Sequence, residues 1–161
     1  MYKIARIALV LVFLTFAFSC KKSKDEPKQE ESHVVRGKVY GKSYTTASGR
    51  AKTDISIAYN TERVEVNLSA DSKFSCSSPE TRSYSVYFRV PKKVGIYTAA
   101  SNDIWLGFDD SASDNSIGFV GADAVVEIKS IANGRVTGKI SFADQTTDSS
   151  VDGTFDVPLC Q

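Results

Sequence analysis

The sequence predicts an all-β domain over residues 34–161, an antiparallel β-sandwich with a closed β-barrel as the alternative. Apolar and polar side chains alternate with period two along most of this stretch, which gives each strand one face for a core and one for water. Turn-forming residues recur at roughly the 8–12-residue spacing of sandwiches and barrels. They are Gly41, Asn60-Thr61, Pro79, Pro91, Gly95, Asn102-Asp103 and Asn133-Gly134. No segment after residue 33 sustains a helical period.

Residues 1–19 read as a secretion signal. Lys3 and Arg6 form a positive start, and Ile7 to Phe18 form an apolar run. That run has 12 residues, about 18 Å as a helix against a hydrocarbon core of roughly 30 Å. It is short for a transmembrane span and has no polar face for a buried core helix, and it suits a cleaved signal. Ser19-Cys20 follows at once. The segment Ala17-Phe18-Ser19-Cys20 resembles a lipobox, with Ser19 as the small residue at the cut and Ala17 and Phe18 as departures from the commonest pattern. The resemblance implies a diacylglyceryl group on the Cys20 thiol, cleavage before Cys20 and acylation of the new amine. Two or three acyl chains anchor a protein stably, at about 0.8 kcal/mol per buried methylene. The expected location is therefore the cell envelope: a lipid-anchored protein of the outer membrane, on its periplasmic face or at the cell surface.

Residues 20–33 are expected to be the lipidated cysteine and a flexible tether. Residues 21–33 hold no large apolar side chain, so burial cannot offset the entropy of ordering them. As a coil their ends lie about 20 Å apart. The cluster Lys21-Lys22-Ser23-Lys24-Asp25-Glu26 is either a plain spacer or a sorting signal. It resembles the charged segments after the lipidated cysteine in lipoproteins of the Bacteroidota.

The body begins at Val34. Strands are expected over Val34–Tyr40, Lys52–Tyr59, Val64–Ala70, Tyr84–Val90, Ile104–Asp109, Ser116–Val120, Val125–Ile131, Val136–Phe142 and Val151–Val157. In the fourth, Tyr84, Val86, Phe88 and Val90 share one face, and Ser83, Ser85, Tyr87 and Arg89 share the other, which is expected to meet water. Asn133-Gly134 predicts a tight hairpin, because both residues tolerate positive φ. A domain of this length buries perhaps two-thirds of its unfolded surface. Cys76 and Cys160 are the two cysteines besides Cys20, and an even pair in an exported protein predicts a disulfide. The loop of about 85 residues it closes is worth about 4.5 kcal/mol in the chain-entropy model.

Several motifs of the body resemble a family. Gly138-Lys139-Ile140-Ser141-Phe142, followed by Val151-Asp152-Gly153-Thr154-Phe155-Asp156-Val157-Pro158, is similar to the closing hairpin of small Bacteroidota lipoproteins of unknown function. The opening Gly37-Lys38-Val39-Tyr40-Gly41-Lys42-Ser43-Tyr44 resembles the start of that domain, with Tyr40 and Tyr44 as departures, and Gly95-Ile96-Tyr97 resembles its middle. The resemblance implies a β-sandwich-like lipoprotein domain and carries no activity with it.

Composition narrows function mainly by exclusion. Removing residues 1–19 takes away Lys3 and Arg6 and leaves 18 basic against 19 acidic residues, so no field draws nucleic acid and no such partner is expected. His33 is the sole histidine, and a tether cannot hold it as a base beside a nucleophile. No nucleophile elbow, zinc-protease, phosphate-loop or dinucleotide motif is present. No cofactor is expected, and the chain is read as a non-enzyme with a binding or structural role. Paired carboxylates among Asp109, Asp110, Asp114 and Asp123 form the hydrolase alternative.

Asp109, Asp110 and Asp114 also form a weak calcium candidate. Ala112 stands where such a loop needs an oxygen and no bidentate Glu follows, which makes a solvated turn the better reading. Trp105, the sole tryptophan, falls on the strand face opposite Ile104, Leu106 and Phe108. With Tyr97 and Asp109 it is the candidate surface for a glycan or small ligand; capping the core is its structural alternative. The expected partners are the membrane, through the anchor, and a glycan or an envelope protein.

Overall fold

A computed structural model of the chain describes residues 33–56, 61–79, 84–101, 104–110, 112, 115–119 and 123–161. The expected signal segment, Cys20, most of the expected tether, Asn60, Asn102-Asp103 and Asp114 lie outside the described residues. The domain is all-β. Its strands are β1 (Val35–Val39), β2 (Lys42–Thr45), β3 (Ser48–Ser56), β4 (Thr61–Ser69), β5 (Tyr84–Pro91), β6 (Gly95–Thr98), β7 (Trp105–Asp110), β8 (Asn115–Phe119), β9 (Val125–Ala132), β10 (Arg135–Asp144) and β11 (Ser149–Cys160). A 3-10 turn spans Ala99–Ser101.

Every strand expected from the alternation is present, with two more, β2 and β6. Each of these has only four residues, of which one, Tyr44 or Tyr97, is buried. Four residues with one buried side chain give no readable period. β2 returns along β1 because Tyr40 and Gly41 both take positive φ, 51° and 72°. The Asn133-Gly134 turn does the same between β9 and β10, with φ of 51° and 70°.

The sheet runs in the order β6-β9-β10-β11-β3-β4-β5-β7-β8, with β1 on β11 and β2 on β1. Its pairings are antiparallel except at one seam, where Leu159 and Cys160 of β11 lie parallel to Ala51 and Lys52 of β3. One edge of β11 is zipped to β10 from Ser149 to Pro158. The other edge is divided: Ser150 to Gly153 take β1, and Leu159 and Cys160 take β3. This division curls the sheet into a half-barrel. The expected sandwich is therefore one continuous, mixed sheet, curled so that β5 and β7 face β11 and β10.

The core fills the space between these two parts of the sheet. Phe88 of β5 meets Phe155 of β11 edge-on at 5.4 Å between ring centroids, and Phe108 of β7 meets Phe142 of β10 at 5.3 Å. Val64, Val66, Leu68, Leu106, Ile128 and Ile140 are fully buried around them. Such side chains contribute about 1.5–3 kcal/mol each by leaving water.

The outward positions of β4, β5 and β7 correct an expectation. Ser85 and Tyr87, assigned to water by the alternation, are 1% and 2% exposed. Tyr87 lies over Gly107 of the neighbouring strand, so close that a Cβ there would collide with its ring, and its ring packs against Trp105 at 4.9 Å. The predicted disulfide forms between Cys76 and Cys160, with the two Cα atoms 5.5 Å apart. It ties the segment 71–79 to the end of β11, beside β3. Among the described residues no helix is long and apolar enough to cross a membrane.

Candidate functional site

The outer face of β3, β4, β5 and β7 carries side chains in cross-strand rows. Arg50, Asn67, Tyr87 and Gly107 form one row. Lys52, Glu65, Arg89 and Trp105 form the next, and Asp54 and Arg63 follow beyond it. Charges of opposite sign therefore face each other across the strands, the favourable arrangement for a sheet surface. Arg50, Lys52, Asp54, Glu65, Asn67 and Arg89 line a groove of about 260 Å³.

Arg50 builds one wall. It is 4% exposed, and its guanidinium donates to the carbonyls of Ser75 at 3.0 Å, Ser78 at 2.6 Å and Pro79 at 3.4 Å. The same group sits 4.5 Å from the centre of the Phe74 ring. A buried cation needs such acceptors in place of water. The segment 74–79 is thus wrapped on a charged peg at one point and held by the disulfide at another.

Arg89 builds the opposite wall. Its Nε donates to Glu65 Oε2 at 2.5 Å and lies 3.7 Å from Asp54 Oδ2. Its guanidinium stacks 5.2 Å from the Trp105 ring centre, a cation–π contact. All these contacts leave its terminal nitrogens without a hydrogen-bond partner among the described residues, and the side chain is 39% exposed. Asn67 forms part of the floor. It is 4% exposed, and its Oδ1 is buried without a partner among the described residues.

The residues singled out from sequence are scattered. Trp105 is on the outer face of β7 as expected, but its ring is engaged by Tyr87 and Arg89. Asp109 shares that face and is buried. Tyr97 belongs to the core, with its hydroxyl donating to the Lys93 carbonyl at 2.6 Å. The aromatic surface proposed around Trp105, Tyr97 and Asp109 is therefore not one surface.

Asp109 and Asp110 are neighbours on a strand and so point to opposite faces. Asp110 accepts from Lys42 Nζ at 2.5 Å on the inner side. They cannot serve one calcium ion or one hydrolytic centre together, and Asp114 lies outside the described residues. Asp123 and His33 are exposed. Among the described residues no three metal-ligating side chains cluster.

Sequence reasoning missed Arg50, Lys52, Asp54, Glu65, Asn67 and Arg89. The signal available was charge of both signs at alternate positions of two successive strands, with Arg89 on the next. That signal is shared by any solvated sheet face.

The fold and the groove together define an all-β domain with a small polar cleft on the outside of a curled sheet. No family model, no curated protein and no solved structure matches the chain.

Proposed function

We propose that this chain is a lipid-anchored protein of the cell envelope whose β domain binds a small polar ligand without transforming it, in the groove between Arg50 and Arg89. The anchor is assigned to Cys20, after the apolar run Ile7–Phe18, and the lipobox-like segment and the Bacteroidota-like motifs support it. One observation carries the binding reading. Arg89 is held in place by Glu65 and Trp105 while its terminal nitrogens remain available in the groove. A donor fixed before the ligand arrives loses little freedom on binding, which is how small sites gain affinity.

Two experiments test this. Cells fed a labelled palmitate analogue should incorporate it into the native protein and not into Cys20→Ala; labelling that survives the substitution rejects the anchor. The detergent-solubilised full chain should be screened by thermal shift against neutral sugars, zwitterionic amino acids, carboxylates, phosphate and sulfate. At least one class should raise Tm in the wild type and fail to do so in Arg89→Gln. No shift with any class, or equal shifts in both proteins, removes the groove as a binding site.

A further inference from the structure

We infer that residues 71–79 form a redox-sensitive strap across the seam between β3 and β11, released when a dithiol reductant cleaves the Cys76–Cys160 bond. The seam is the shortest joint of the curled sheet. It consists of two parallel register pairs, Leu159 with Ala51 and Cys160 with Lys52. β11 also pairs with β10 over ten positions, and β3 pairs with β4 over nine. Each strand therefore keeps a long partner when the seam parts, so opening there stays local.

The strap is tied to the two sides of the seam by different chemistry. On the β3 side, Ser48 Oγ donates to the Asp71 carbonyl at 2.5 Å. Arg50 adds its bonds to the carbonyls of Ser75, Ser78 and Pro79. On the β11 side the tie is the disulfide. Among the described residues no hydrogen bond joins the segment to β11. The link across the seam is thus one covalent bond, of the kind that thiols break.

A reductant can reach that bond. Cys76 is exposed and Cys160 is half-buried, and exposed disulfides are reduced more readily than enclosed ones. A thiolate of the dithiol attacks Cys76 Sγ, forms a mixed disulfide and expels Cys160 as a thiolate. The second thiol of the reductant then closes the reductant's own disulfide and expels Cys76. The two protons of the dithiol pass to the two cysteines, so the reductant is oxidised as the protein bond is reduced. Arg50 and Lys52 also line the groove, so parting the seam loosens one wall of the site proposed above. That consequence alone rests on the binding reading.

The test uses the detergent-solubilised full chain with and without dithiothreitol, in the absence of denaturant. Peptide-mapped thiol labelling should show Cys76 and Cys160 becoming reactive while the sheet signal in circular dichroism is kept. Amide exchange in the strap and at the seam should speed up about tenfold or more, with β4, β5, β9 and β10 unchanged. The Cys76→Ser/Cys160→Ser chain should show the same exchange pattern without reductant and no response to it. A bond reduced only in denaturant overturns the inference. So does a reduced chain whose exchange is unchanged, which makes the bond inert. Loss of protection by all strands together also overturns it, since the bond then locks the whole fold. No ligand enters these measurements, so their outcome is separate from that of the binding screen.

Discussion

The Arg50 guanidinium donates a 2.6 Å hydrogen bond to the carbonyl of Ser78, 28 residues away along the chain. With the bonds to Ser75 and Pro79 it turns a polar segment without regular structure into a wall of the groove. The disulfide between Cys76 and Cys160 fixes the same segment from the other side.

Replacing Arg50 should therefore destabilise the domain even where the new side chain fits. Arg50→Met is expected to cost about 2–4 kcal/mol, since several charge-assisted hydrogen bonds are lost and the carbonyls must find water. Urea unfolding measures this directly. A cost under about 0.5 kcal/mol would mean that the segment is held by the disulfide alone.

Removing the disulfide should act on the same segment through the unfolded state. The Cys76→Ala/Cys160→Ala pair is expected to lose about 3–4.5 kcal/mol, the range for a closed loop of this length. Combined with Arg50→Met, the loss should fall short of the sum, because both changes free one segment. Strict additivity in unfolding free energies would count against a shared wall.

Gly107 tests how tightly the outer face is packed. A methyl group at Gly107 would run into the Tyr87 ring, which is buried and rests on Trp105. Gly107→Ala should cost about 1–3 kcal/mol by overpacking and shift the emission of the sole tryptophan. An unchanged spectrum would show that Tyr87 moves aside without disturbing Trp105.

The tyrosines predict the alkaline limit of stability. Burial pushes the Tyr44 hydroxyl far above its ordinary value. Burial is also the main cause raising Tyr84, with Asp110 adding to it and the hydrogen bond to the Val39 carbonyl opposing it. Their unfolded counterparts lose a proton near pH 10. Both therefore contribute stability that is complete below about pH 10 and is lost as pH rises toward the folded values. Tyrosinate absorbance should show Tyr44 ionising only together with loss of the sheet signal in circular dichroism. Free titration of all tyrosines within an intact fold would contradict the burial of Tyr44.

Much of the architecture was legible beforehand. The alternation through Val136, Gly138, Ile140 and Phe142, and through Val64, Val66 and Leu68, marked core faces that are buried as read. Asn133-Gly134 marked its hairpin, and the two cysteines of the body their bond. β2 and β6 were not legible, being too short to repeat a pattern. Ser85 and Tyr87 misled because alternation reports which face is more apolar, and a second covered face looks like a wet one.

What the sequence by itself determined is local or pairwise: strand faces, turns and the cysteine pair, each set by the period of the chain or the chemistry of one or two residues. What only the tertiary structure decided is the register that sets Asn67 beside Arg50 and Arg89 beside Glu65, and the seam at Leu159 and Cys160 that curls the sheet. Those contacts join residues far apart in the chain. They follow from the packing of the whole core, which no single segment encodes.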